Sequence, residues 1–202
     1  ILLMEEGDYV KAEEEHRRAI ALLEKLYGPD GSSVAMSRNN LGLVLREQGK
    51  YEEAITEHRT AADVLTRRLG PEHPRVTTTR TNLALALWAS GTLDEAEAEF
   101  RRAIELDEKT LGPQHPSTAA DHSNLATVLL AQHRLPEAEA EARIAIGLME
   151  KSLGAKHPHV LDTRGNLATI LHDMGRLEEA EAENREGLRL REETQGADHP
   201  DV

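Results

Sequence analysis

Apolar and small residues recur three and four positions apart along this chain, in stretches separated by glycine and proline. This spacing predicts amphipathic helices, because it places the apolar side chains on one face. In one stretch Val76, Leu83 and Leu87 predict a helix of about 15 residues, which we name helix A. A second pattern, helix B, follows from about Leu93 to Leu111, with glutamates on its polar side. The chain is therefore predicted to be all-α and built from helix pairs.

A turn phrase ending in His-Pro recurs at a fixed step of 42 residues, beginning at Gly70, Gly112, Gly154 and Gly196. An asparagine column follows the same step at Asn40, Asn82, Asn124 and Asn166, each followed by a leucine and then a small residue. A further column, at the predicted end of helix A, holds Gly49, Gly91, His133 and Gly175. A fixed period between roughly 20 and 50 residues indicates a repeat array.

The repeat predicts one continuous array over residues 1–202. It divides into a partial repeat, four complete repeats and the start of another, at 1–27, 28–69, 70–111, 112–153, 154–195 and 196–202. A helix pair alone would leave apolar surface open, so neighbouring pairs are expected to stack and close the core. Because the pattern starts and stops within a repeat, the chain is expected to be a fragment of a longer protein.

The residues at the predicted helix ends agree with this division. Thr92 or Asp94 can cap the start of a helix B, and Pro136 falls in a first turn, where its missing N–H is not needed. Gly70 and Gly112 can adopt the left-handed conformation that ends a helix. The turns are therefore predicted to be short and well defined.

The amino-acid composition limits the kinds of molecule that the chain can be expected to bind. Only 2% of the residues are aromatic and Trp88 is the sole tryptophan, so alanine and leucine must fill most of the core. The formal net charge of −13 disfavours nucleic acid and anionic membranes, which both need a cationic surface. The absence of cysteine excludes disulfides and thiolate metal sites. No apolar run suits a membrane helix or a signal peptide, so we expect no membrane partner and a cytoplasmic location.

The recurring Asn-Leu-Gly/Ala and Gly-x-Leu/Tyr-x-x-Ala motifs resemble the tetratricopeptide repeat. With its period of 42 and its Leu-Gly-x-x-His-Pro turns, the chain is similar to the repeats of kinesin light chain and of many bacterial signalling proteins. The resemblance implies a right-handed superhelical α-solenoid of antiparallel helix pairs, with helix A lining a concave groove for an extended or short helical peptide. The chain departs from light chain, which has an apolar column, at Arg38, Arg80, His122 and Arg164, and His133 replaces a glycine.

The resemblance also implies which helix A residues project into the groove. The predicted residues are Asn39, Asn40, Leu43, Arg46, Thr78, Thr81, Asn82, Leu85, Trp88, Ser123, Asn124, Thr127, Asn166, Thr169 and His172. The asparagine column is the most suggestive part, because an amide can both donate to and accept from a peptide backbone. The alternative is that each amide bonds the neighbouring helix and fixes the stacking of repeats. Both roles can coexist.

Trp88 is either an anchor for a ligand side chain or a packing residue between helices. Arg46 could pair with an acidic ligand group, but no basic column continues from it, which favours a solvated arginine. The arginines of the periodic column could offer guanidinium groups to a carboxylate or phosphate. We favour a structural role, in which they pack within the helix pair and meet glutamates such as Glu53, Glu95 or Glu179.

Histidines recur once per turn, at His73, His115, His157 and His199. Successive turns should lie on the order of 10 Å apart, too far for shared coordination at about 2 Å, so a turn-stabilising role is predicted and no metal site. Acidic runs such as the one beginning at Glu95 are interpreted as solvated faces of helix B. The chain contains no catalytic motif, phosphate-binding loop or zinc-binding helix pattern.

The sequence therefore predicts a non-enzymatic protein-interaction module without a cofactor. Its partner is expected to be a peptide segment or a helix of another protein, bound in the groove, and the module would be the sensor or scaffold part of a larger cytoplasmic protein. Two alternatives stay open. One is self-association through the exposed array ends or the acidic helix B surface, and the other is a regulatory domain of a larger NTPase or signalling protein.

Overall fold

The structure, a computed structural model, describes residues 8–195, with side chains up to residue 193. Over this range the chain forms nine α-helices and no strand, which confirms the all-α prediction. The helices are α1 (Tyr9–Tyr27), α2 (Ser32–Glu47), α3 (Tyr51–Leu69), α4 (Pro74–Ala89), α5 (Leu93–Thr110), α6 (Pro116–Ala131), α7 (Leu135–Leu153), α8 (Pro158–Asp173) and α9 (Leu177–Gln195). The turn predicted at Gly196 and His199 and the start of the partial repeat lie outside the described residues.

The even-numbered helices are the predicted A helices, and each has 16 residues. Three of them start at the proline of a His-Pro pair. In each case the preceding histidine is extended and its Nδ1 accepts a hydrogen bond of 3.2 Å from the backbone N–H two residues on, at His73, His115 and His157. The imidazole therefore satisfies one of the orphan donors of the first turn, which confirms the predicted turn-stabilising role for these three histidines.

The helix ends use positive φ angles, as predicted. Gly70 and Gly112 have φ of 89° and 93° after their B helices, and Gly49 and Gly91 have φ of 75° and 84° after their A helices. At the fourth position of this kind the chain has His133, with φ of 59°. A Cβ destabilises this conformation, so His133 is a strained substitute for glycine that the repeat geometry holds in place.

Contacts divide the chain into two compact units, residues 1–99 and residues 100–202, with the division inside α5. In the first unit α3 packs against both α2 and α4. The core there is formed mainly by small and aliphatic side chains, namely Ala35, Ala61, Val64, Leu65 and Val76, with Met36 and Leu69 packed against them. A helix B thus buries one side on its own helix A and another on the next, which is the stacking that closes a repeat core.

The second unit repeats this arrangement, with α7 packed against both α6 and α8. Its buried side chains include Leu125, Leu129, Ala138, Ala142, Leu167 and Leu171. Alanines at the helix crossings let the backbones approach closely, so a chain with few aromatic residues can still form a dense core. The fold is an all-α solenoid of antiparallel helix pairs.

The periodic arginine column is structural. Arg38 binds Glu57 at 2.8 Å and Glu24 at 2.7 Å, and Arg80 binds Glu99 at 2.7 Å. In the second unit Arg164 binds Glu183 at 2.5 Å and Glu150 at 2.7 Å, while His122 Nδ1 lies 2.6 Å from Glu141. The column therefore holds helix A to helix B within each pair, as favoured from the sequence, and Arg38 and Arg164 also bind helix B of the preceding pair.

The predicted glutamate partners are wrong. Glu53, Glu95 and Glu179 face outward, where they bind Arg17, Arg59 and Arg143 of the preceding helix B. The glutamates that meet the column lie four residues later, one helical turn further along helix B, because that turn points back toward helix A. The outward glutamates instead join successive B helices at the same step of 42.

Candidate functional site

In the first unit, the A helices α2 and α4 place most of the predicted groove residues on one accessible face. Asn40, Thr78 and Trp88 are exposed, and the Trp88 side chain has an exposed fraction of 41%. The remaining residues on this face are half-buried, namely Leu43, Arg46, Thr81, Asn82 and Leu85. We name these eight residues the first helix A surface.

Asn39 is a correction to the predicted set, because it is only 5% exposed and points into the helix pair. Its Oδ1 lies 3.0 Å from His58 Nδ1 and accepts a hydrogen bond of 3.2 Å from Asn82 Nδ2. An amide oxygen can only accept, so His58 must carry its proton on Nδ1. Asn39 thus joins α3 and α4 through one oxygen atom and is not a ligand-contacting residue.

His58 is a buried histidine that the sequence reasoning missed. Its ring is fully buried, and its Nε2 has no hydrogen-bond partner among the described residues. Burial, together with the nearby Arg46 charge, lowers the pKa of His58 to about 4, so the ring is neutral at pH 7. A signal was present in the sequence: Gly42 interrupts a column that is alanine in the other repeats, which makes room for a larger residue opposite.

In the second unit the A helices α6 and α8 form a comparable face. Thr169 and His172 are exposed, while Ser123, Asn124, Thr127 and Asn166 are half-buried. We name these six residues the second helix A surface. Two hydrogen bonds join the helices beneath it: Ser123 Oγ lies 2.9 Å from Thr163 Oγ1, and Asn166 Nδ2 donates to Thr127 Oγ1 at 3.4 Å.

The asparagine column divides into two kinds of residue. Asn82 and Asn166 each use their amide N–H on the preceding helix A, which is the stacking role. The side chains of Asn40 and Asn124 form no hydrogen bond within residues 8–193. Their donors and acceptors are therefore available to a ligand, whereas those of the other two are partly committed to the fold.

Charges on these surfaces are compensated locally. Arg46 binds its neighbour Glu47 at 2.7 Å, and His172 Nδ1 lies 3.3 Å from Asp173. No basic column continues from Arg46, in agreement with the sequence. Amide, hydroxyl and aliphatic groups therefore dominate both surfaces, in contrast to the strongly charged B helices.

Comparison with known proteins gives the family. A profile described as tetratricopeptide repeat matches four overlapping segments, residues 1–67, 33–109, 76–146 and 120–193. The chain belongs to the tetratricopeptide repeat (TPR) family. No curated protein matches the chain significantly.

Solved structures with the same fold come from several proteins. A Podosopora anserina protein described as a kinesin light chain with nearly identical TPR-like repeats has a TM-score of 0.83 at 24% identity, over 96% of this chain and 92% of that one. BtubC (BKLC) from P. vanneervenii has a TM-score of 0.85 at 22% identity, over 98% and 79%. The apo form of RapI has a TM-score of 0.83 at 15% identity, over 96% and 68%. At these identities the likeness shows the TPR fold alone.

The second TPR unit also contains a cleft of about 640 Å³ between α8 and α9. Thr169 and His172 line it on one side and Leu177 and Leu188 on the other. Leu188 is 42% exposed, whereas Ile146, one repeat earlier in the sequence, is 7% exposed. In α7 this position is covered by the next helix pair.

The described TPR repeats offer neither a metal-binding group nor a membrane-spanning helix. Within the described residues no three histidine, aspartate or glutamate side chains are grouped so that they could hold a metal ion. None of the helices α1–α9 is both long enough and apolar enough to cross a bilayer. Each unit thus has its own helix A surface as a candidate site.

Proposed function

We propose that this chain binds a peptide segment, or a helix, of another protein on its helix A surfaces. TPR repeats are in general protein–protein interaction modules. The observation that carries the finer proposal is the pair of uncommitted amides, Asn40 and Asn124, on the same series of helices as the exposed Trp88. An uncommitted amide has two donors and an acceptor that can match the backbone of an extended segment.

The first helix A surface also supplies an apolar contact in the same unit as Asn40. Leu43 and Leu85 are half-buried, and Trp88 leaves two-fifths of its surface accessible. An aliphatic or aromatic ligand side chain can pack on this group, since aromatic residues with an accessible face are frequent binding hot spots. The backbone contacts would then set affinity and the apolar contact would set selectivity.

Electrostatics favour a neutral or basic ligand. Arg46 already binds Glu47 and the chain has a formal net charge of −13, so an acidic or phosphorylated segment would find no uncompensated cation on this surface. We accordingly infer a cytoplasmic scaffold or sensor module without catalytic activity of its own. The family supports this inference, because the TPR fold is typically a non-catalytic scaffold.

The test is a peptide array in which neutral, basic and acidic 15-mers, each with a central apolar residue, are probed with the intact chain. We expect binding to neutral or basic members, and loss of that binding in Asn40→Ala, Asn124→Ala and Trp88→Ala. Asn82→Ala tests the stacking role separately, because its amide N–H is committed to Asn39. Stability should fall in Asn82→Ala and not in Asn40→Ala. An array that retains no peptide, or equal binding by all variants, would overturn the proposal.

A further inference from the structure

The outer face of α7 differs from those of the other B helices. Its accessible positions 140, 144 and 147 hold Ala140, Ile144 and Gly147, and Ile144 is 45% exposed. One repeat earlier the same positions hold Ala98, Arg102 and Glu105, and one repeat later they hold Ala182, Glu186 and Arg189. In α3 they hold Thr56, Thr60 and Asp63. In each of the other three helices at least two of these positions hold a polar or charged side chain. In α7 none of them does.

Gly147 has no role in the packing of its own chain. A Cβ added there would meet no atom within 4 Å, and the position is helical, where glycine costs about 1 kcal/mol relative to alanine. The open space above Gly147 forms a shallow hole, and the exposed side chain of Ile144 forms a knob beside it. This is a shape that another surface can fill closely.

We propose that Ala140, Ile144, Gly147 and Lys151, which we name the α7 patch, form a self-association surface that is occupied by the α7 patch of a second copy. A two-fold axis beside Ile144 and Gly147 would bring the two α7 helices together antiparallel. Each Ile144 would then pack over Gly147 of the second copy, because a two-fold interface is self-complementary. A two-fold interface requires that one surface contain both the protruding residue and the space that receives it. The α7 patch meets this requirement, with Ile144 and Gly147 one helical turn apart.

Charge complementarity also favours a second copy. Lys151 forms no ion pair among residues 8–193. Glu137, at the other end of the patch, has a half-exposed side chain that binds Arg134 at 2.6 Å and lies 3.8 Å from Arg101. In the antiparallel arrangement Lys151 of each copy lies about one helical turn from Glu137 of the other. Both ends of the α7 patch would therefore gain an opposite charge.

The surface is small, so the dimer should be weak. An interface formed by one helix from each copy buries less than the roughly 1,200 Å² typical of stable complexes, which places it in the transient class. Two copies that each carry −13 also repel one another, which weakens the dimer further.

Sedimentation equilibrium on the intact chain tests the proposal. Ile144→Arg and Gly147→Glu introduce the residues found one repeat earlier. Ile144 is exposed, and a side chain at Gly147 meets open space, so circular dichroism should remain unchanged. Each substitution should weaken the dimer at least about tenfold, since both copies lose the contact. Thr60→Arg, at the equivalent position of α3, is the matched control and should leave association unchanged. A chain that is monomeric throughout, or a dimer indifferent to both α7 substitutions, would overturn the proposal.

Exchanging the charges of Lys151 and Glu137 distinguishes binding of a second copy from binding of any other partner to the α7 patch. Lys151→Glu and Glu137→Lys should each weaken the homodimer, because each places like charges together. Mixing the two variants should restore association, since every Lys–Glu contact is re-formed in the mixed dimer. Failure of the mixture to associate, with wild-type chain dimeric under the same conditions, would contradict the antiparallel arrangement.

Discussion

His58 occupies the space that Gly42 leaves open. A Cβ built on Gly42 would lie 2.6 Å from both Cε1 and Nε2 of the His58 ring, well inside van der Waals contact. The other repeats have alanine at the position of Gly42, and in the second unit Ala126 is matched by the small Ala142. The contact between Gly42 and His58 is specific to this repeat, because the position of His58 varies and holds Phe100, Ala142 and Asn184 in the others.

Gly42→Ala should destabilise the first unit by about 1–3 kcal/mol, because the methyl group overlaps a buried ring that cannot move out of the core. In the His58→Ala background the same change should be neutral, or stabilising by up to about 1 kcal/mol through helix propensity. Urea unfolding of the wild type, the two single variants and the double variant gives the coupling energy between Gly42 and His58. Equal effects of Gly42→Ala in both backgrounds would show that the ring is not the obstacle.

Stability should depend on pH through His58. Its folded pKa of about 4 lies below the ordinary 6.5, so the folded chain favours the neutral ring. The stabilisation is fully present above about pH 6.5 and is lost as pH falls toward 4, by up to about 1.4 kcal/mol per pH unit. Urea midpoints at pH 7, 6 and 5, followed by Trp88 fluorescence, measure this loss. His58→Gln removes the titrating group, so the part of the pH dependence of stability that comes from His58 should disappear.

His133→Gly should stabilise the chain by about 1 kcal/mol, because it relieves the positive φ of a residue that carries a Cβ. The side chain is exposed and the other A helices end with glycine at this position, so little packing is lost. Thermal unfolding measures the gain. Gln132→Gly is the control, since Gln132 has a negative φ and its replacement should destabilise.

Arg80→Leu should destabilise the first unit by about 1–3 kcal/mol, because Glu99 would lose the guanidinium that compensates its partly buried carboxylate. Peptide binding should be unaffected. Arg185→Leu is the matched control: its ion pair with Glu181 is largely exposed and should contribute less than about 1 kcal/mol. Loss of peptide binding in Arg80→Leu with unchanged stability would support a direct ligand role for the column.

Much of the fold could be predicted because its determinants are local. The His-Pro caps, the positive-φ glycines and the spacing of apolar residues each act within a few residues of chain, and their recurrence at a step of 42 multiplies a weak signal. The bounds of the A helices and the exception at His133 follow from the same columns. The family assignment rests on this periodicity.

The candidate site could be predicted only in part. Its position on the A helices was implied by the family resemblance, but Asn39 and Asn40 are adjacent, and only one of them is accessible. The column Asn40, Asn82, Asn124 and Asn166 is invariant along the chain, yet two members bond a neighbouring helix and two do not. These differences depend on the residue that faces each amide from another repeat, at Asn39 and Thr127.

The sequence alone determined the repeat length, the all-α fold, the helix ends and the compensated acidic surface, since each depends on spacing and composition along the chain. Only the tertiary structure decided that Glu57 rather than Glu53 meets Arg38, that His58 is buried against Gly42, and which asparagines remain free. Such pairings join residues 16–43 positions apart in the chain. They depend on the direction in which each side chain points where two helices cross. A shift of one helical turn along either helix brings a different residue into contact.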